Sequence, residues 1–302
     1  MNEHMSWVTS WEQWRKVMGP AGTRYRENVD AFLQTHPAIL YWGDSWFSTP
    51  LYLNLARQSA RRINGLSMIV GKPGALAANL FSISEVARIG GRIEANPFDV
   101  VCLSAGGNDC LSDRLMVTFQ EWASKPGKLP KIGAVQAYHI FLQSGLLGRV
   151  SSAYERVLER MKIVQKSSPT LRVVGHCYLP IVEVGKAADL STSNIGMIAW
   201  VKDNVGPWLW KPMQHVLTNE SDGRAFARMI LEDGFRDSVL EPLVSRYRGL
   251  FSYVDFAKAD TTLQGFWNDE IHPGEAGFKV LSRLLNQELR TVLPAQKQAA
   301  VN

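Results

Sequence analysis

Five times along this chain a short apolar run meets a glycine- or polar-rich turn and then a stretch of helical character. The runs are Ala38–Trp42, Leu66–Val70, Phe98–Leu103, Leu171–Gly175 and Phe251–Phe256. Strand, turn and helix repeated in this way describe an α/β chain with a parallel sheet. The runs are apolar almost throughout, as strands covered on both faces must be. In such sheets ligands bind beyond the carboxyl ends of the strands. The residues just after each run are therefore those with functional potential: Gly43-Asp44-Ser45, Gly71 to Gly74, Gly106 to Asp109, and the segment after the fifth run.

A length of 302 residues fits one α/β domain with extensions and supplies a core that needs no disulfide or metal staple. The expected organisation is a helical extension over residues 1–36, one domain over 37–295 with a long helical insertion at about 181–249, and a tail over 296–302. Trp7, Trp11 and Trp14 fall on one face of the first expected helix, and packing is the favoured meaning of that stripe.

Composition excludes several function classes. A net charge of +5, spread along the chain, gives no basic run of the nucleic-acid or polybasic-membrane kind. Cys102, Cys110 and Cys177 are an odd number without ligand spacing, and no HExxH, P-loop or GxGxxG motif occurs. No cofactor and no metal is expected. No stretch of ~20 apolar residues suggests a membrane span, and the start MNEHMSW lacks the charge pattern of a signal peptide. A cytoplasmic location is the default expectation, with signal-independent export left open. Oligomeric state is not legible.

Each turn carries one residue type suited to acyl chemistry. Ser45 lies between a strand and a helix, where a hydroxyl stands at the sheet rim. Gly74 permits close backbone approach. Asn108 offers a neutral amide donor for a developing oxyanion. Asp269 and His272 stand three apart, a spacing that brings a carboxylate onto an imidazole within one turn. The other five histidines, His4, His36, His139, His176 and His215, lack an Asp at that spacing. His176 is the one rival, since it is expected just past the fourth strand. Asp109 is read as a brace for its own loop. Asp44 and Asp109 share a rim, but loop bracing is the better reading than a metal pair.

Together these blocks resemble the SGNH hydrolases, the GDSL esterase/lipase superfamily, over residues 38 to about 292. The matching blocks are Gly43-Asp44-Ser45, Gly74, Gly106-Gly107-Asn108-Asp109 and Asp269-Glu270-Ile271-His272-Pro273. The resemblance implies a three-layer αβα, flavodoxin-like fold with a five-stranded parallel sheet in order 2-1-3-4-5. It implies Ser45 as nucleophile, His272 as base and Asp269 as orienter. Ser45, Gly74 and Asn108 would form the oxyanion hole, with Gly71 a substitute for Gly74. Trp46-Phe47 replace the aliphatic residues usual after the Ser. Trp46, Phe47, His176 and Trp267 are candidate substrate contacts. The implied activity is hydrolysis of a small or medium acyl ester, free or on a carbohydrate or lipid, through an acyl-enzyme. Acyl transfer to a hydroxyl acceptor, a lipase-like activity, and a non-catalytic binding protein are the alternatives. Within 181–249, Met197, Ile198, Trp200, Trp208, Trp210 and Met213 crowd a stretch broken by Gly206, Pro207 and Pro212, and either a mobile cap over the site or ordinary core packing on the sheet's helices is expected there.

Overall fold

The computed structural model describes residues 7–49, 53–186 and 207–302. Its five strands are β1 (Ala38–Gly43), β2 (Leu66–Gly71), β3 (Val100–Ser104), β4 (Arg172–Cys177) and β5 (Phe251–Asp255). They form one parallel sheet in the order 2-1-3-4-5, as the resemblance implies. Reversal of strand order between β1 and β3 opens a crevice at their carboxyl ends.

Alternation along β1 shows how the sheet is covered. Tyr41 points to one face, where its hydroxyl bonds Ser59 on the Leu55–Ala60 helix at 2.8 Å. That helix packs on the long Glu275–Val292 helix. Trp42, one residue on, points to the other face and meets Phe81, which in turn meets Tyr154 of the Leu146–Val164 helix. The Ile83–Glu94 helix packs beside that one. Two helical layers thus sandwich the sheet, and every residue of β1 and β3 is buried.

Both ends of the described residues are tied to this core. Ser10 caps the Trp11–Met18 helix by accepting the Gln13 N–H, so Trp7 falls before the helix and not on its face. Val8 instead adds a parallel bridge to Met68 on the free side of β2. Trp14 is fully buried, stacks on Phe98 at 4.5 Å and donates its indole N–H to Asn96 at 2.9 Å. At the other end Lys297 reaches the buried Asp99 at 2.7 Å, and that carboxylate also accepts the Ala38 N–H that opens β1. The segment expected as a tail is therefore packed against the sheet.

The long connections are helical. After β3 come the Ser112–Thr118, Gln120–Ser124 and Ala134–Gln143 helices. Before β5 come the Trp210–Met213 and Glu220–Met229 helices, an eleven-residue π-helix over Ile230–Leu240, and the Glu241–Arg246 helix. No helix among the described residues is long and apolar enough to cross a membrane.

The packing of Trp14 makes a prediction. Trp14→Ala removes a large buried side chain and should cost ~3–5 kcal/mol of stability, read as a lower urea midpoint. An unchanged midpoint would mean that the first helix is not part of the cooperative core.

Candidate active site

The carboxyl end of β1 turns sharply into the Ser45–Ser48 helical turn because Asp44 caps it, accepting the Trp46 N–H at 3.0 Å. Ser45 follows and retains 9% of its surface, at the floor of a cleft. Its Oγ lies 2.8 Å from His272 Nε2. On the far side of the ring, Nδ1 lies 3.0 and 3.1 Å from the two carboxylate oxygens of Asp269. A carboxylate accepts only, so Nδ1 carries the proton and Nε2 is free to accept from Ser45. Asp269 is itself fixed by the N–H groups of Ile271 and His272, at 2.9 and 2.7 Å, and by the Asn268 amide at 3.2 Å.

Asp269 also shifts the titration of the His272 ring. Burial lowers the affinity of His272 for a proton, but the charge and hydrogen bond of Asp269, with a smaller contribution from Asp44, outweigh it and raise the pKa above the ordinary histidine value. Burial would raise Asp269, yet His272 and the surrounding N–H donors hold it below the usual carboxylate range.

The Gly106-to-Asp109 turn is set by contacts on both sides. Gly106 has φ +110°, and a Cβ there would lie 2.8 Å from Phe235 of the π-helix. Only glycine fits that conformation and that space. Asn108 donates its amide to the Ala75 carbonyl at 3.1 Å. Because the amide has two hydrogens, one remains for the cleft. The same bond ties Asn108 to the residue after Gly74, whose φ is +72° and whose Cβ position is open space. Gly71 differs: a Cβ there would meet the Gly43 carbonyl at 1.9 Å, so this glycine serves the approach of β2 to β1.

Asp44 and Asp109 are both buried and both used. Asp44 accepts from Tyr178 Oη at 2.5 Å and Ser104 Oγ at 2.8 Å besides its capping bond. Asp109 accepts the Ala77 N–H at 2.8 Å, bracing its loop against the Ala77–Leu80 helical turn, and burial pushes its pKa up to about 6. No group of three or more metal-ligating side chains occurs among the described residues.

Of the expected substrate contacts, Trp46 lines the cleft and the other three do not. His176 lies within β4 rather than after it, because the strand runs on to Cys177. Its ring is buried among Trp46, Phe47, Tyr178 and Phe256. Neither ring nitrogen meets a partner of good geometry among the described residues, and burial pushes its pKa down to about 3. Phe47 is core, edge-on to Tyr41. Trp267 is buried, and its backbone bridges Pro273.

The cleft itself is mostly apolar. Beyond Ser45, Asn108 and His272 it is walled by Leu111, Leu179, Leu209, Ile230, Leu231 and Ile271, among others. The sequence assigned none of these a role in a cleft, since isolated apolar residues read as core. Of the expected cap, Met197, Ile198, Trp200 and Gly206 lie outside the described residues. Met213 is fully buried, while half-buried Trp208 stands edge-on to the His272 ring at 5.5 Å.

Glu270 also escaped notice in the sequence. It is fully buried, and its carboxylate accepts the N–H groups of Gly185 at 2.9 Å, Leu209 at 2.8 Å and Trp210 at 3.0 Å. Burial raises its pKa, and these donors oppose the rise.

No protein-family model and no curated protein matches the chain. Among solved structures it is similar to an extracellular lipase from Streptomyces rimosus, at 14% identity over 83% of this chain and 99% of that one, with a TM-score of 0.44. It is similar to phospholipase A1 from Streptomyces albidoflavus NA297, at 18% identity over 83% and 99%, TM-score 0.44. A family 3 carbohydrate esterase of Clostridium thermocellum gives 11% over 85% and 99%, TM-score 0.42. Likeness at this level carries over neither a substrate nor a residue's role. In the order of its short blocks and in its parallel 2-1-3-4-5 sheet, the chain resembles the SGNH hydrolases.

Proposed function

We propose that this chain is a serine ester hydrolase acting on small or medium acyl esters through an acyl-enzyme. The observation that carries the reading is the continuous line from Ser45 Oγ to His272 Nε2 and from Nδ1 to Asp269, opening on an apolar cleft. In the first half-reaction Oγ forms a bond to the acyl carbonyl carbon while its proton passes to Nε2. The carbonyl π electrons move to oxygen, and the Ser45 and Gly74 N–H groups with the Asn108 amide stabilise that oxyanion. Collapse breaks the bond to the alcohol oxygen, which leaves with the proton from Nε2. Water, deprotonated by the same nitrogen, then releases the acid and restores Ser45. Asp269 stays ionised throughout and stabilises the imidazolium. If a hydroxyl compound replaces water, the same site performs acyl transfer. Accumulation of free acid with water as the only acceptor separates the two.

Ser45→Ala should lower kcat on p-nitrophenyl acetate by at least ~10³-fold while leaving the melting temperature close to wild type. Near-wild-type turnover would remove Ser45 from the mechanism.

The raised pKa of His272 sets the acid limb of the pH profile. His272 must be neutral to accept the Ser45 proton, so kcat/KM should fall as pH drops, with its midpoint above the ordinary histidine value of about 6.5. Asp269→Asn removes the main group that raises it, so the limb should move to lower pH as the rate falls. A limb unmoved by that substitution would assign the titration to another group.

A further inference from the structure

Glu270 sits between Asp269 and His272 in the turn that carries the base. Its carboxylate joins three N–H groups from two separate places in the chain. Oε1 takes Gly185 and Trp210, and Oε2 takes Leu209. The turn is bound to the first of these places twice more. Glu270 N–H donates to the Lys186 carbonyl at 3.1 Å, and Lys186 Nζ donates to the Trp267 carbonyl at 2.9 Å. Leu209 is itself a wall of the cleft, and the preceding Trp208 packs edge-on against His272. A fully buried carboxylate is costly unless its oxygens are satisfied, and here backbone donors satisfy it. In this arrangement one side chain hydrogen-bonds the Leu209 wall to the turn that carries the base.

Accepting the hydrolase reading above, on which this rests, we infer that Glu270 is a positioning residue that sets acyl-chain preference by pinning the Leu209 wall to the turn carrying the base. Gln at this position has nearly the same shape but only one accepting oxygen. Its NH₂ group would oppose at least one of the backbone donors. The wall should then lose its fixed place while Asp269 and His272 keep their own hydrogen bonds. Short acyl groups, which barely reach the wall, should be affected least.

The test measures kcat and KM for p-nitrophenyl acetate and p-nitrophenyl octanoate in wild type, Glu270→Gln, Leu209→Ala and the double variant. A p-nitrophenyl phosphonate counts competent sites, so constants are expressed per active site and any loss of folded protein drops out. Each methylene seated on an apolar wall is worth about a factor of four. Loosening the wall should therefore lower the octanoate-to-acetate ratio of kcat/KM by about tenfold, mainly through the octanoate KM. Leu209→Ala should lower the same ratio, and the two changes together should give less than the product of their separate effects. If Glu270→Gln yields no folded protein, Glu270→Asp is read in the same way, since it is one methylene too short to span all three donors. An unchanged ratio per site, or fully multiplicative effects with Leu209→Ala, would overturn the inference and leave the hydrolase reading standing. A wild type that turns over neither ester and takes up no phosphonate removes both.

Discussion

At the rim of the sheet three strands converge more closely than side chains allow. A Cβ on Gly43 would lie 2.6 Å from Ser104, and one on Gly71 would lie 1.9 Å from the Gly43 carbonyl. Glycine at both positions lets β1 run between β2 and β3 to its last residue. The backbone then closes the junction, with Asp44 N–H donating to Ser104 at 2.8 Å and Lys72 N–H donating to Gly43 at 3.1 Å. This junction places Ser45 at the floor of the crevice that reversal of strand order creates. It also delivers the two neighbouring turns, with Gly74 and Asn108, to the same edge. A side chain at Gly43 would separate the strands and the site with them.

Around that junction the protein buries four carboxylates within or beside one cleft: Asp44, Asp109, Asp269 and Glu270. Ionised groups in such a place need donors, and each has them. Asp44 holds Tyr178, Ser104 and the capping N–H, Asp109 holds Ala77, and Glu270 holds three backbone amides. Asp269 alone faces an imidazole. The donors differ, and so do the consequences. Three of these acids are raised by burial and brace loops, while Asp269 is held low and acts on a titrating partner. Similar residues thus differ in titration according to what stands opposite them.

The sheet was legible because doubly covered strands must be apolar, and β1, β2 and β5 begin at the expected residues. The boundaries of β3 and β4 were less so. Phe98 reads as strand but packs against Trp14 ahead of β3, and β4 continues through His176 because an imidazole stacked under Trp46 is tolerated in the core. Ser45, Asn108, Asp269 and His272 stood out because each follows an apolar run at a rim. Asp269 and His272 also had their spacing. Glu270 had no such signal. Its partners are main-chain amides from distant segments, and any residue type supplies those. The π-helix over Ile230–Leu240 had no local signal either, although its Phe235 closes over Gly106 beside the site.

Under the hydrolase proposal, Asp269 and His272 together make the Ser45 oxygen nucleophilic. Peptide mapping by mass spectrometry after treatment with a p-nitrophenyl phosphonate tests it most directly, with released nitrophenolate counted alongside. One nitrophenolate per chain and a single adduct are expected, on the peptide bearing Ser45, formed far more slowly in Asp269→Asn. An adduct on another residue, or labelling of Ser45 at the same rate without the Asp269 carboxylate, would contradict it.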